Sequence, residues 1–233
     1  EEAIRRIRIA AEGFDIILVE LGGTAGEYQN AVYYEAYRML KMRQPKDVIH
    51  VHVTYFPKPA HINELKSKPT QLSVKLLNSM GIQPDFIVGR AEDVIDDKRK
   101  EKVAFYCNLD KLDVISNPDV EHTYQLPVIF QQQQFDTRVL MKLGLTAQEL
   151  NGSFAPWRTL LKQIEKPKDH VVKIGIIAKY IATGDYELID SYHSLVEALK
   201  HASWHNAVDL QLEFINAENL ERKSPEAWKS LKD

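Results

Sequence analysis

The sequence predicts an α/β protein built on a parallel sheet. Short apolar runs recur along it: "DIILVE", "VIHVHVTYF", "DFIVG" and "LDVIS". Stretches with helical periodicity separate these runs, and strand–helix alternation implies parallel strands with helices on both faces of the sheet. The alternation resumes after a charged, proline-containing stretch, with "VVKIGIIAKY", a helical pattern and "VDLQLEFI".

Taken in order, "EEAIRRIRIAAEG" reads as an amphipathic helix closed by Gly13. It opens on two acids and has no continuous apolar core, so it is not a signal peptide. "DIILVE", residues 15–20, is expected to be a buried strand ending on Glu20. "NAVYYEAYRMLKM" is a helix, "DVIHVHVTYF" a second strand. "PTQLSVKLLNSMG" begins on Pro69 and stops at Gly81, the residues that helix starts and stops favour. "DFIVGR" is a third strand, "DDKRKEKVAFYC" a helix, "LDVIS" a fourth strand. "QQQQ", residues 131–134, reads as a solvated helical turn. Residues 146–169 read as a linker with a short helix. Residues 170–233 begin a second α/β unit whose two strands and two helices cannot easily bury a core alone.

Composition excludes several classes. The net charge of −3 implies no general affinity for nucleic acid. No apolar run reaches membrane-spanning length, so no membrane partner is expected. The single cysteine, Cys107, permits no internal disulfide and suits a reducing compartment. It reads as a small core residue.

Two constellations invite a nucleotide. A carboxylate at a strand's C-terminal end, Glu20, followed by Gly22, Gly23 and Gly26, is suited to hold magnesium over phosphates. On spacing alone, a strand-end acid that caps the next helix, with glycines that merely turn, is the favoured reading. In "ELKSKPTQ", Lys66 and Lys68 precede a helix N-terminus whose Thr70 and Gln71 side chains would add donors, a physically sound polyphosphate site. A solvated basic turn has the same composition. Arg90 and Lys102 are placed to reach a crevice at the strand ends, or to be solvated charges. His50 and His52 share one strand face but have too few companions for a metal site; hydrogen-bonded core histidines are the expectation.

"DIILVELGGTAG", "HVTYFP", "ELKSKPTQLSVKLLNSMGIQPDFIVGR", "KVAFYCN" and "DSYHSLVEALKHA" follow the order and spacing of CTP synthase, which the chain resembles from about Ala3 to Glu221. The resemblance implies a P-loop-type amidoligase domain at 1–145, the linker at 146–169, and the beginning of a class I glutamine amidotransferase domain at 170–233. It implies an enzyme that uses ATP and Mg2+ to phosphorylate the 4-oxygen of UTP. Ammonia from glutamine then displaces the phosphate, giving CTP. GTP activates the glutaminase, CTP inhibits at a site overlapping that of UTP, and the cytoplasmic homotetramer can form filaments. By the same resemblance Glu20 binds magnesium, and Lys66, Lys68 and Gln71 hold the UTP or CTP triphosphate. Lys102 joins them from a neighbouring subunit, and Glu27, Tyr28 and Gln29 lie at the nucleoside end. The P-loop and the glutaminase cysteine fall outside the sequence; Cys107 is not that cysteine.

The chain departs from the family in the loop "GEYQN". Gln29 stands where a carboxylate is usual and Tyr28 where a smaller aliphatic residue is usual, so weaker CTP feedback is expected. Ser67 replaces a usual threonine and Asn63 a common glycine. A catalytically silent, nucleotide-binding paralogue of the same family is the alternative reading.

Overall fold

The computed structural model describes residues 1–146, 154–179, 182–183, 186–187, 189–222 and 225–231. The chain divides into two compact units, Glu1–Leu150 and Asn151–Asp233.

In the first unit, three parallel strands lie in the order β1 (Val51–Phe56), β2 (Phe86–Ala91), β3 (Val114–Pro118). Helices α3 (Lys68–Ser79) and α4 (Asp97–Cys107) cover one face. There Phe56, Ile87, Ala91 and Val114 of the strands meet Val74 of α3 and Val103, Ala104 and Cys107 of α4. Cys107 is a core residue, and burial pushes its thiol up to about 11. Asp96 caps α4 by accepting the Arg99 N–H, and Asn108 ends it in the left-handed region. Pro69 is the second residue of α3 rather than the first, and Gly81 follows its end at φ +75°.

The opposite face is covered over β2 and β3 by α5 (Leu126–Gln132) and α6 (Phe135–Lys142). Phe86 packs edge-on against Phe135, with their centroids 5.2 Å apart. On β1 the same face is bare: Val51, Val53 and Tyr55 are exposed. Helices α1 (Glu2–Ala10) and α2 (Ala31–Arg43) pack together, and Tyr34 of α2 joins Leu77 of α3.

One expected element is absent. Residues 15–20 form no strand, and Ile16, Ile17, Leu18 and Val19 are exposed, Leu18 at 92%. An apolar run supplies strand propensity, but a strand exists only where a neighbour accepts its backbone hydrogen bonds. Among the described residues no strand pairs with this segment, so Glu20 does not end a buried strand.

In the second unit, β4 (His170–Ala178) and β7 (Val208–Asn216) pair in parallel along their whole lengths. Helix α8 (His193–His205) crosses between them; its Val196 and Leu199 cover Ile176, Leu212 and Phe214. A two-residue hairpin, β5 (Ala182–Thr183) with β6 (Tyr186–Glu187), precedes α8. Helix α7 (Ala155–Glu165) packs against α8, and the short α9 (Ala217–Glu221) and α10 (Pro225–Ser230) follow β7.

Candidate functional site

The sequence's basic turn folds into one wall of a groove of about 580 Å³. The backbone reaches it through Asn63, whose φ of +50° lies in the left-handed region that asparagine tolerates and glycine favours. Lys66 N–H then donates to Pro57 O, anchoring the turn before α3 begins at Lys68. The first turn of α3 presents Lys68 and Gln71, and the helix start adds partial positive charge. The facing wall is α4, where the spacing of Lys98, Lys102 and Tyr106 puts all three on one helix face.

Lys66, Lys68, Gln71 and Lys102 therefore line one groove, within a single chain. The resemblance alone would bring Lys102 in from a neighbouring subunit; here no second chain is needed for the four to converge. Lys98, Arg99, Glu64 and Tyr106 also line it and were not singled out from the sequence. Their signal was present: positions 98, 102 and 106 follow helical periodicity, and Glu64 precedes Lys66 by two residues.

The electrostatics are lopsided. Five cations line the groove against one carboxylate, Glu64, in a chain of net charge −3. Glu64 Oε2 lies 2.9 Å from Lys66 Nζ, and Oε1 lies 2.7 Å from Arg99 Nη2. Lys66, and then Arg99, hold the Glu64 carboxyl below the usual carboxylate range. Arg99 also donates through Nε to Leu65 O at 2.9 Å and pairs with Asp96. Among the described residues, Lys68, Lys98 and Lys102 have no ion-pair partner. Gln71 Nε2 donates to Ser67 Oγ at 3.1 Å. Thr70 does not contribute: it is fully buried, its hydroxyl 3.2 Å from that of Thr54, and it fastens α3 to β1.

Glu20, Glu27, Tyr28 and Gln29 do not line the groove. Glu20 is exposed, and among the described residues no group of three or more His, Cys, Asp or Glu could hold a metal. Glu27 closes its own loop, accepting Thr24 N–H at 2.9 Å and Gln29 Nε2 at 3.0 Å. The Thr24 N–H is the main cause that holds its carboxyl low. Gly23, at φ +92°, holds a left-handed conformation that side chains rarely adopt, and a Cβ there would displace the Glu27 carboxylate, 2.4 Å away. Tyr28 is 95% exposed. Arg90, the residue before the end of β2, is exposed and makes no ion pair among the described residues.

His52 is buried and shares a 2.8 Å hydrogen bond with Ser73 Oγ, as a core histidine would. His50 stacks edge-on with Tyr37, whose buried hydroxyl has no partner among the described residues. No helix among the described residues is long and apolar enough to cross a membrane.

A family model described as CTP synthase N-terminus matches residues 1–145. The chain is 39% identical over 224 residues to a CTP synthase of Methanopyrus kandleri, covering 96% of this chain and 40% of that protein. It is 40% identical over 226 residues to a CTP synthase of Bdellovibrio bacteriovorus, covering 96% and 41%. It is 38% identical over 225 residues to a CTP synthase of Helicobacter pylori, covering 96% and 40%. The chain thus spans about two fifths of the length of the curated relatives it matches. Because that family model matches residues 1–145, more than half of the chain, the chain belongs to the CTP synthase N-terminus family.

Proposed function

We propose that this chain carries the triphosphate-binding part of a ligase that aminates UTP to CTP. The observation that supports the reading is the convergence of Lys66, Lys68, Gln71 and Lys102 on one groove with an excess of positive charge. The three unpaired lysines would bind phosphate oxygens through charge-assisted hydrogen bonds, and Gln71 would add a neutral donor. Holding the triphosphate fixes the pyrimidine at the far end of the nucleotide, where amination occurs.

In this reading ATP phosphorylates the 4-oxygen of UTP, and ammonia from glutamine displaces that phosphate. Glu27, Tyr28 and Gln29 flank the nucleoside end. Magnesium would be held through Glu20. An exposed single carboxylate fits one position of a metal whose other ligands are phosphates and water, the usual arrangement for Mg2+. Bound there, the metal would offset phosphate charge. Residues 1–145 form part of the synthetase domain, 146–169 a linker, and 170–233 the start of a class I glutamine amidotransferase, activated by GTP. Assembly is a cytoplasmic homotetramer able to form filaments. The names of the relatives give no support to a silent paralogue.

The reading is tested by competition. CTP titrated calorimetrically into UTP-saturated protein should bind with an apparent affinity lowered in proportion to the UTP present. CTP binding indifferent to UTP would set the shared triphosphate groove aside.

A further inference from the structure

The groove contains its own anion. We propose that Glu64 is a resident counter-ion that an incoming polyphosphate must displace from Lys66, so that it sets the groove's affinity by competing with the ligand. The inference rests on the polyphosphate reading above and adds a regulator to it.

The geometry carries the point. Of the five cations in the lining, Lys66 and Arg99 already share the carboxylate of Glu64, one oxygen each, at 2.9 and 2.7 Å. Lys68, Lys98 and Lys102 are not paired. A polyphosphate entering the groove is drawn by these three but meets the Glu64 carboxylate beside Lys66. Either it takes Lys66 from Glu64, or it leaves that ion pair intact and forgoes one cation; both lower its affinity. The Glu64 side chain is half exposed, so it can swing aside without opening the core.

Arg99 is a different matter. Its guanidinium keeps Leu65 O and Asp96 as anchors whether or not Glu64 is charged. A glutamine at 64 would still accept from Arg99 through its carbonyl oxygen. Its amide cannot compete for a lysine as a carboxylate does. Glu64→Gln therefore releases Lys66 while leaving Arg99 held. A positioning role for Glu64 would give the opposite sign, because losing its charge would then disorder Lys66 and weaken binding.

The test uses inorganic triphosphate as the probe and calorimetry on the purified protein, with Glu64→Ala as a second variant. Glu64→Gln should tighten binding about tenfold, the scale of one charge-assisted contact freed for the ligand. In a Lys66→Ala background the gain should vanish. Weaker or unchanged binding in Glu64→Gln and Glu64→Ala, with the parent protein still binding and Lys66→Ala still weakened, would overturn the counter-ion alone. An equal gain in the Lys66→Ala background would overturn it too, since the effect would not run through Lys66. No triphosphate binding in the parent or either Glu64 variant would overturn the groove reading as well.

Discussion

The carboxamide of Gln133 pairs with both backbone groups of Ser116. Its Oε1 accepts the Ser116 N–H and its Nε2 donates to the Ser116 carbonyl, each at 2.8 Å. The side chain thus takes the place of a neighbouring strand at the open edge of β3. Lys100 Nζ donates to the same Oε1 at 2.8 Å, which links α4 to this edge. Gln133→Leu would leave the N–H and C=O of buried Ser116 unpaired. The expected cost is about 3 kcal/mol, two unsatisfied buried groups, read as a lower urea midpoint. A change within about 0.5 kcal/mol, the range of ordinary surface positions, would contradict the pairing.

Asp113 makes a second clip. It is 2% exposed, and its carboxylate receives Arg138 at 2.7 Å and Lys142 at 2.8 Å, both from α6. Lys142 also stands 4.8 Å over the Phe86 ring. Asp113→Ala leaves two cations facing each other in a largely buried place. A loss of about 3–5 kcal/mol is expected, and Asp113→Asn should retain part of it. Thermal unfolding of the two variants distinguishes them; equal stability of Asp113→Ala and the parent protein would exclude the clip.

His52 gives the fold an acid limb. Burial, and then the neighbouring His50, lower its pKa from 6.5 to about 4. The folded state thus holds it neutral while the unfolded chain takes up a proton. Unfolded protein binds more protons between those two values, so stability is full above pH 6.5 and falls as the pH drops towards 4. The total loss is about 3 kcal/mol. In His52→Gln, urea midpoints measured across this interval should fall less steeply. Parallel curves for variant and parent would show that another group carries the acid sensitivity.

In the reading proposed above, the loop at Glu27 flanks the nucleoside and bears on CTP feedback. Tyr28 projects into solvent, and Gln29 offers a neutral amide where the resemblance to CTP synthase implies a charge. Weaker CTP inhibition is expected, by about 1–2 kcal/mol, the scale of a charged hydrogen bond made neutral. Tyr28→Ile with Gln29→Glu should lower the CTP inhibition constant and leave the UTP KM nearly unmoved. An unchanged inhibition constant would mean the loop does not read the nucleoside.

Much of this architecture was legible in the residues. Alternating apolar and helical patterns located β1, β2, β3, α3 and α4, because burial on a parallel sheet imposes those periods. The basic turn was legible for the same reason that helix starts attract anions. What escaped depended on partners distant in sequence. The run at residues 15–20 has strand composition but no ladder partner among the described residues. Gln133 looks solvated until β3 is seen to need an edge. Thr70 looks like a phosphate donor until β1 lies beneath it. Asp113 has no meaning until α6 folds back with Arg138 and Lys142. Glu64 reads as one more charge in a basic turn; only the facing α4 makes it a bridge.

The role of the lysine pair is tested most directly by measuring UTP and uridine monophosphate dissociation constants side by side. The comparison uses the parent protein, Lys66→Ala and Lys68→Ala. Each substitution should weaken UTP roughly ten- to hundredfold, the loss of one charge-assisted phosphate contact, and the preference for UTP over the monophosphate should shrink. A preference that survives both substitutions undiminished would contradict the assignment of this groove to the triphosphate.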